Sequence, residues 1–236
     1  MLRNYLANRI KVSEVLGMIK GIIFDVDGTL LNSMHIWGEL GKRYLSSVGI
    51  EARPGLGKIL FPMSLDESSE YLKKEYNLPD SVEKILEDTI KILSDFYRNE
   101  AVPKEGAIDF IKRMQRRNIP MAIATSGDRR ILDTALARLG ITECFTGVLT
   151  CSELKTNKRV PAIYQHAAEI FGTAPEETAV FEDVLHAIQA AKSAGFITYA
   201  IEDKSSIQDR DGIKETADFY LQDFTDPILL DDGSYW

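Results

Sequence analysis

Residues 21–30 read Gly-Ile-Ile-Phe-Asp-Val-Asp-Gly-Thr-Leu. The apolar run 21–24, closed by the polar stretch 25–29, predicts a strand buried on both faces, as in a parallel sheet. Residues i and i+2 of an extended strand point to the same side. Asp25 and Asp27 are therefore expected to flank one reacting group. Gly28 lets the chain turn tightly and approach a bound anion closely.

Working outward from that stretch, residues 33–99 change character. Apolar residues such as Ile36, Leu40 and Tyr44, then Ile85, Leu86, Ile90 and Leu93, recur at helical spacing, and Pro54, Gly55, Gly57, Pro62 and Pro79 punctuate them. Four or five helices and no strand are predicted there. Beyond Pro103 the pattern alternates: helices at about 104–117, 129–139, 161–171 and 185–194, and strands at 120–124, 147–149, 178–181, 196–200 and 219–221. Strands alternating with helices predict an α/β fold with a parallel sheet covered on both faces. The expected organisation is an N-terminal extension 1–18, a catalytic core of 19–33 with 101–236, and a helical insert 34–100. The tail from 223 onward has no periodicity, and fraying and edge packing both stay open for it.

The chain has 236 residues, 44% hydrophobic and 27% charged, with a net charge of −8. This is enough for one buried core and a smaller second unit. The acidic balance argues against non-specific nucleic-acid binding. No apolar run reaches the roughly 18 residues of a membrane span, and the first residues carry no signal-peptide pattern. Cys144 and Cys151 lack metal-ligand spacing and fit a reducing, cytoplasmic compartment.

Parallel sheets bind ligands beyond the carboxyl ends of their strands. Four such ends are expected to carry polar groups: Asp25 to Thr29; Thr125, Ser126 and Gly127; the loop with Lys155 and Lys158; and Glu182 with Asp183. Crowded carboxylates repel strongly at low effective dielectric, and one lysine does not offset four of them. Oxygen-only ligands suit Mg2+, which often bridges to substrate phosphate. The threonine hydroxyl, an ammonium and glycine-flanked amides supply the rest of a phosphate cradle. In this reading Asp25 attacks phosphorus and Asp27 serves as general acid and base. Lys158 stabilises the transferring oxygens. Helix capping is a rival role for Thr125. Lys158 is preferred to Lys155 because Pro161 opens the next helix at the expected offset.

On these residues the chain resembles the haloacid dehalogenase superfamily of phosphotransferases. The matching motifs are Asp25-Val26-Asp27-Gly28-Thr29-Leu30, Thr125, Lys158 in the run to Tyr164, and Glu182-Asp183 followed by Ile188-Gln189-Ala190-Ala191 and Ala194-Gly195. The resemblance spans roughly residues 19–222. It implies a Rossmann-like core with a mobile helical cap, as in the subfamily that includes β-phosphoglucomutase and many small-molecule phosphatases. It further implies Asp25, Asp183 and the Asp27 carbonyl as metal ligands, with Glu182 nearby. Two motifs depart from the usual pattern. Ala162 stands where aspartate is usual, forgoing a cap contribution of about 1 kcal/mol. Val184 and Ala187 replace the serine and glycine that usually follow the fourth motif.

Within the insert, Arg53 and Lys58 are candidate substrate contacts, as is His35 at the entrance; Gly57-Lys58 is not a phosphate-binding P-loop, since Ile59 follows. The expected activity is Mg2+-dependent hydrolysis of a small phosphorylated metabolite through an aspartyl-phosphate on Asp25, by a monomer or weak dimer. The alternative is a β-phosphoglucomutase-like sugar phosphate mutase. Dehalogenation and a non-catalytic role fit the acid/base pair less well, and phosphonoacetaldehyde hydrolysis would need a Schiff-base lysine, for which Lys58 lies in a suggestive region.

Overall fold

The computed structural model describes residues 19–230. The expected N-terminal extension, and the tail beyond 230, lie outside the described residues. The chain divides into two compact units, one ending at Asn32 and resuming at Val102, the other Ser33–Ala101.

The first unit holds a six-stranded parallel sheet: β1 (Gly21–Phe24), β2 (Met121–Thr125), β3 (Gly147–Thr150), β4 (Thr178–Glu182), β5 (Ile197–Ile201) and β6 (Phe219–Leu221). Their order is β3-β2-β1-β4-β5-β6. β1, β2, β4 and β5 are buried along their whole length, as continuous apolar strands require. The alternation of side chains then sorts two cores. On one face Ile23, Ala122, Ala124 and Val180 pack with Ile163, Tyr164, Ala167 and Phe196.

The other face carries an aromatic row. Phe24 stacks on Phe181 at 5.0 Å, Phe181 on Tyr199 at 4.7 Å, and Tyr199 on Phe219 at 4.5 Å between ring centroids. These residues are direct register partners across β1, β4, β5 and β6. Stacked rings on neighbouring strands favour one register over its slips. That register places the residues after Phe24 and Phe181, which are Asp25 and Glu182, side by side at the sheet's carboxyl edge.

The connections are α5 (Ala107–Arg116), α6 (Arg129–Leu139), α7 (Ala162–Phe171), α8 (Leu185–Ser193), α9 (Arg210–Thr216) and α10 (Pro227–Leu230). The first four were expected. A 3-10 turn at Lys204–Asp209 and α9 were not, because α9 buries only Ile213 and so carries no apolar period. The tail is packed as far as it is described. Phe224 is fully buried, 5.5 Å from both Phe110 and Phe181, and its N–H donates to the Glu105 carbonyl at 3.0 Å.

The second unit contains α1 (His35–Ser47), α2 (Leu56–Leu60), α3 (Leu65–Glu75) and α4 (Val82–Asn99), with no strand among its described residues. Its core joins Tyr44, Leu45, Leu56, Leu60, Leu72, Leu78 and Ile85. Ser64 and Glu67 form a capping box on α3, and Ser81 caps α4. Gly57 lies against the Gly38 carbonyl, where a Cβ would collide with backbone, so α1 and α2 cross closely.

Candidate active site

The regular strand ends at Phe24, and a turn opens at Val26. Asp25 still donates its N–H to the Phe181 carbonyl at 3.0 Å, but the Val26 carbonyl accepts from Thr29, Leu30 and Leu31 at 3.3, 2.9 and 2.8 Å. Asp25 thus prolongs the ladder by one bond, and Asp27 lies in the turn that follows. Gly28 has φ +88° and donates to Leu31. A Cβ there would sit 2.8 Å from the Asp183 carboxyl carbon, so the position needs both the conformation and the space of glycine.

Around this turn the other strand ends converge. Asp25, Glu182 and Asp183 are buried, and each offers a carboxylate oxygen within 4.8 Å of the others. The buried Lys158 ammonium donates to Asp25 Oδ1 and, at 2.5 Å, to Glu182 Oε1. Lys155, by contrast, is exposed. The Thr125 hydroxyl accepts the Gly127 N–H at 3.0 Å, while Asp128 caps α6 by accepting from Arg130. The capping role considered for Thr125 thus belongs to Asp128. The carboxylate of Asp27 and the hydroxyl of Thr125 meet around Gly127: a Cβ built there would have them at 3.6 and 3.3 Å. Ser126 is exposed beside them and reaches Cys151 Sγ at 3.6 Å.

Pro161 does open α7 and leaves it without a side-chain cap, as Ala162 implied. Arg53, Lys58 and His35 belong to the second unit. There the Arg53 guanidinium pairs with Glu75 and lies 5.4 Å from the Tyr76 ring centroid. Lys58 is exposed in the last turn of α2. The exposed His35 stands edge-on to Phe96 at 5.3 Å.

Three groups, Ser206, Tyr164 and Lys104, escaped sequence reasoning, and Thr29 was placed at the strand end without a partner. Thr29 donates to Asp183 Oδ1 at 3.1 Å and Ser206 to Oδ2 at 3.3 Å. Tyr164 donates to Glu182 Oε1 at 2.7 Å. Lys104 forms a buried ion pair with Asp203 at 2.8 Å. Tyr164 left one trace in the sequence, a phenol on an otherwise small and apolar helix face, which calls for a partner when buried. Ser206 left none.

The electrostatics of the cluster are unbalanced. Burial pushes Glu182 and Asp183 above the ordinary carboxylate range, and Asp25 adds to both shifts. Burial opposes charge on Lys158 as well, but Asp25 and Glu182 outweigh it and raise its pKa above the usual lysine value. Three desolvated carboxylates thus share one ammonium, and a cation bound among them would relieve the excess. All the donors are oxygens, which fits a hard divalent cation and not a soft one.

A model of the haloacid dehalogenase-like hydrolases matches residues 22–201, a stretch that contains the whole cluster. The chain belongs to that family. Among similar members of the haloacid dehalogenase-like hydrolases are named phosphatases. The validoxylamine A 7'-phosphate phosphatase of Streptomyces hygroscopicus subsp. limoneus is 27% identical, over 89% of this chain and 96% of its own length. The phosphorylated carbohydrates phosphatase of Thermotoga maritima is 28% identical, over 75% of this chain and 82% of its own. The fold matches that of CbbY from Rhodobacter sphaeroides, solved in complex with phosphate, with a TM-score of 0.70 at 22% identity, over 88% of this chain and 96% of that one.

Proposed function

We propose that this haloacid dehalogenase-like hydrolase is an Mg2+-dependent phosphatase of small phosphorylated metabolites, sugar-like phosphates above all. One observation carries the reading: the Lys158 ammonium is held between Asp25 and Glu182 inside a buried acidic cluster at the tips of parallel strands. The ammonium beside Asp25 offsets negative charge that would otherwise repel an incoming phosphate.

The Asp25 carboxylate attacks phosphorus, and the ester P–O bond breaks as Asp27 gives its proton to the leaving oxygen. Water then attacks the aspartyl-phosphate, Asp27 takes the water's proton, and inorganic phosphate leaves with Asp25 restored. Lys158, the Thr125 hydroxyl and the amides around Gly28 and Gly127 hold the phosphoryl oxygens. Asp25, the Asp27 carbonyl, Glu182 and Asp183 would hold Mg2+, which when bound offsets charge on the phosphoryl group. Arg53, Lys58 and His35 stay as candidate contacts for the rest of the substrate. The phosphatase names of the relatives support a sugar-like leaving group. Two buried, unpaired thiols support a reducing compartment such as the cytoplasm. No helix among the described residues is long and apolar enough to cross a membrane.

The test is phosphate release from a panel of sugar phosphates by the purified chain with Mg2+. Release that disappears in Asp25→Asn is expected. Conversion of glucose 1-phosphate to glucose 6-phosphate without phosphate release would replace the phosphatase by the mutase.

A further inference from the structure

Tyr164 lies outside every role considered so far, yet its phenol reaches into the acidic cluster. Its OH donates to Glu182 Oε1 at 2.7 Å, the same oxygen that takes the Lys158 ammonium at 2.5 Å. The other oxygen, Oε2, accepts the N–H of Asp183 at 3.3 Å. Each oxygen of Glu182 thus has a partner in the same unit, and Oε2, with one long bond, keeps a lone pair for a cation. Tyr164 and Glu182 are essentially inaccessible to water, at 0% and 1% exposure, so no solvent competes for these bonds.

The ring itself is anchored. It leaves the first turn of α7 beside Ile163 and packs with Ala122, Val180 and Phe196, with the Phe196 ring 6.2 Å away at a steep angle. Lys158 comes instead from the irregular segment between β3 and α7, and its ammonium is held by its ion pairs. Two of its three N–H bonds go to Asp25 and Glu182, which leaves one for a phosphoryl oxygen.

We propose that Tyr164 is a positioning residue: by holding Glu182 Oε1 from the sheet side, it fixes the carboxylate that delivers the Lys158 ammonium to Asp25. Without the phenol, Glu182 can rotate toward Lys158 or toward Asp183, and the ammonium follows it away from Asp25. The consequence falls on the chemical step, since Tyr164 itself touches no substrate atom. This inference rests on the phosphatase reading for its kinetic arm and on geometry alone for its second arm.

The test is Tyr164→Phe, which keeps the ring and removes only the donor. With p-nitrophenyl phosphate and Mg2+, kcat is expected to fall about ten-fold, the scale of one lost hydrogen bond to a charged group, while KM changes by less than about two-fold. In the metal-free protein, labelling of Lys158 by an amine-reactive ester, read by peptide mass spectrometry, is expected to speed up several-fold. The unfolding midpoint reports whether the fold is kept, and both readouts are normalised to folded protein. Unchanged kcat, or losses that track the folded fraction with unchanged Lys158 labelling, would overturn the proposal. A wild-type chain that releases no phosphate would instead sink the phosphatase reading, and the labelling arm would still decide on Tyr164.

Discussion

Phe24 and Phe181 stack 5.0 Å apart on neighbouring parallel strands, and the next residue on each strand is an acid, Asp25 and Glu182. An apolar contact one residue below the strand tips thereby fixes the spacing of two charges above it. Burial of the ring pair opposes a one-residue slip, which would turn the aromatic row to the other face. The acidic cluster follows from this register, and the charge imbalance that a cation would offset comes from the same burial.

That imbalance predicts a conflict between stability and chemistry at Asp183. Its folded pKa is raised, so its contribution to stability is present at low pH and is lost as pH rises from the unfolded value through the folded one. In metal-free protein Asp183→Asn should raise the unfolding midpoint at pH 7 by a few degrees and abolish phosphatase activity. Mg2+ should raise the midpoint of the wild type and not that of the variant. Calorimetry with and without EDTA checks both, and a wild-type midpoint indifferent to Mg2+ would count against a cation among these carboxylates.

Asp25→Asn is expected to abolish turnover outright. Asp27→Asn should lower kcat about 100-fold or more with sugar phosphates, and less with p-nitrophenyl phosphate, whose leaving group needs no proton. Equal losses on both substrates would mean that Asp27 does not act as the acid.

Gly28→Ala meets two obstacles, a left-handed backbone and the Asp183 carboxylate. The backbone term is about 1–2 kcal/mol. Displacement of Asp183 should add a weaker response to Mg2+, seen as a higher Mg2+ concentration for half-activation. A variant with wild-type Mg2+ activation would show that the turn has room to relax.

The buried pair Lys104–Asp203 should show in acid. Burial opposes ionisation of Asp203, but hydrogen bonds from Lys104 and Ser205 more than offset this and hold its pKa below the usual aspartate value. Its stabilising contribution is then complete above the unfolded pKa, about 3.9, and disappears as pH falls through the lower folded pKa. Asp203→Asn should cost about 3 kcal/mol at pH 7, and the gap to wild type should narrow as pH falls below the unfolded value of about 3.9. Urea unfolding at a series of pH values measures it; a gap constant with pH would remove the ion pair from the account.

Phe224→Ala tests the packed tail. Loss of a fully buried ring from the aromatic core should cost about 3–5 kcal/mol and lower the unfolding midpoint by roughly 10 °C. A change within a degree would mean that the tail is dispensable.

The strands were legible because each is a short apolar run closed by turn residues. β1 occupies the expected 21–24, and β6 the expected 219–221. α9 was not legible, since a seven-residue helix with one buried side chain leaves no period to read. Phe224 gave no periodic signal either, being flanked by Asp223 and Thr225 in a stretch without helical or strand period. Within the cluster, Asp25, Glu182 and Lys158 were legible from their residue types next to strand ends. Tyr164 and Ser206 were not, because their partners lie 18 and 23 residues away in sequence and are chosen by packing.

The amino-acid sequence by itself determined the alternation of strands and helices, the helical insert and the acids, hydroxyl and lysine waiting at the strand tips. These are local properties, written in apolar period and in neighbouring residue types. Tertiary structure alone decided that Lys158 meets Asp25 across 133 residues, that Thr29 and Ser206 grip Asp183, and that Phe224 closes the aromatic core. Such contacts depend on strand register and on helix packing against the sheet, which are settled by burial summed over the whole unit and not by any one segment.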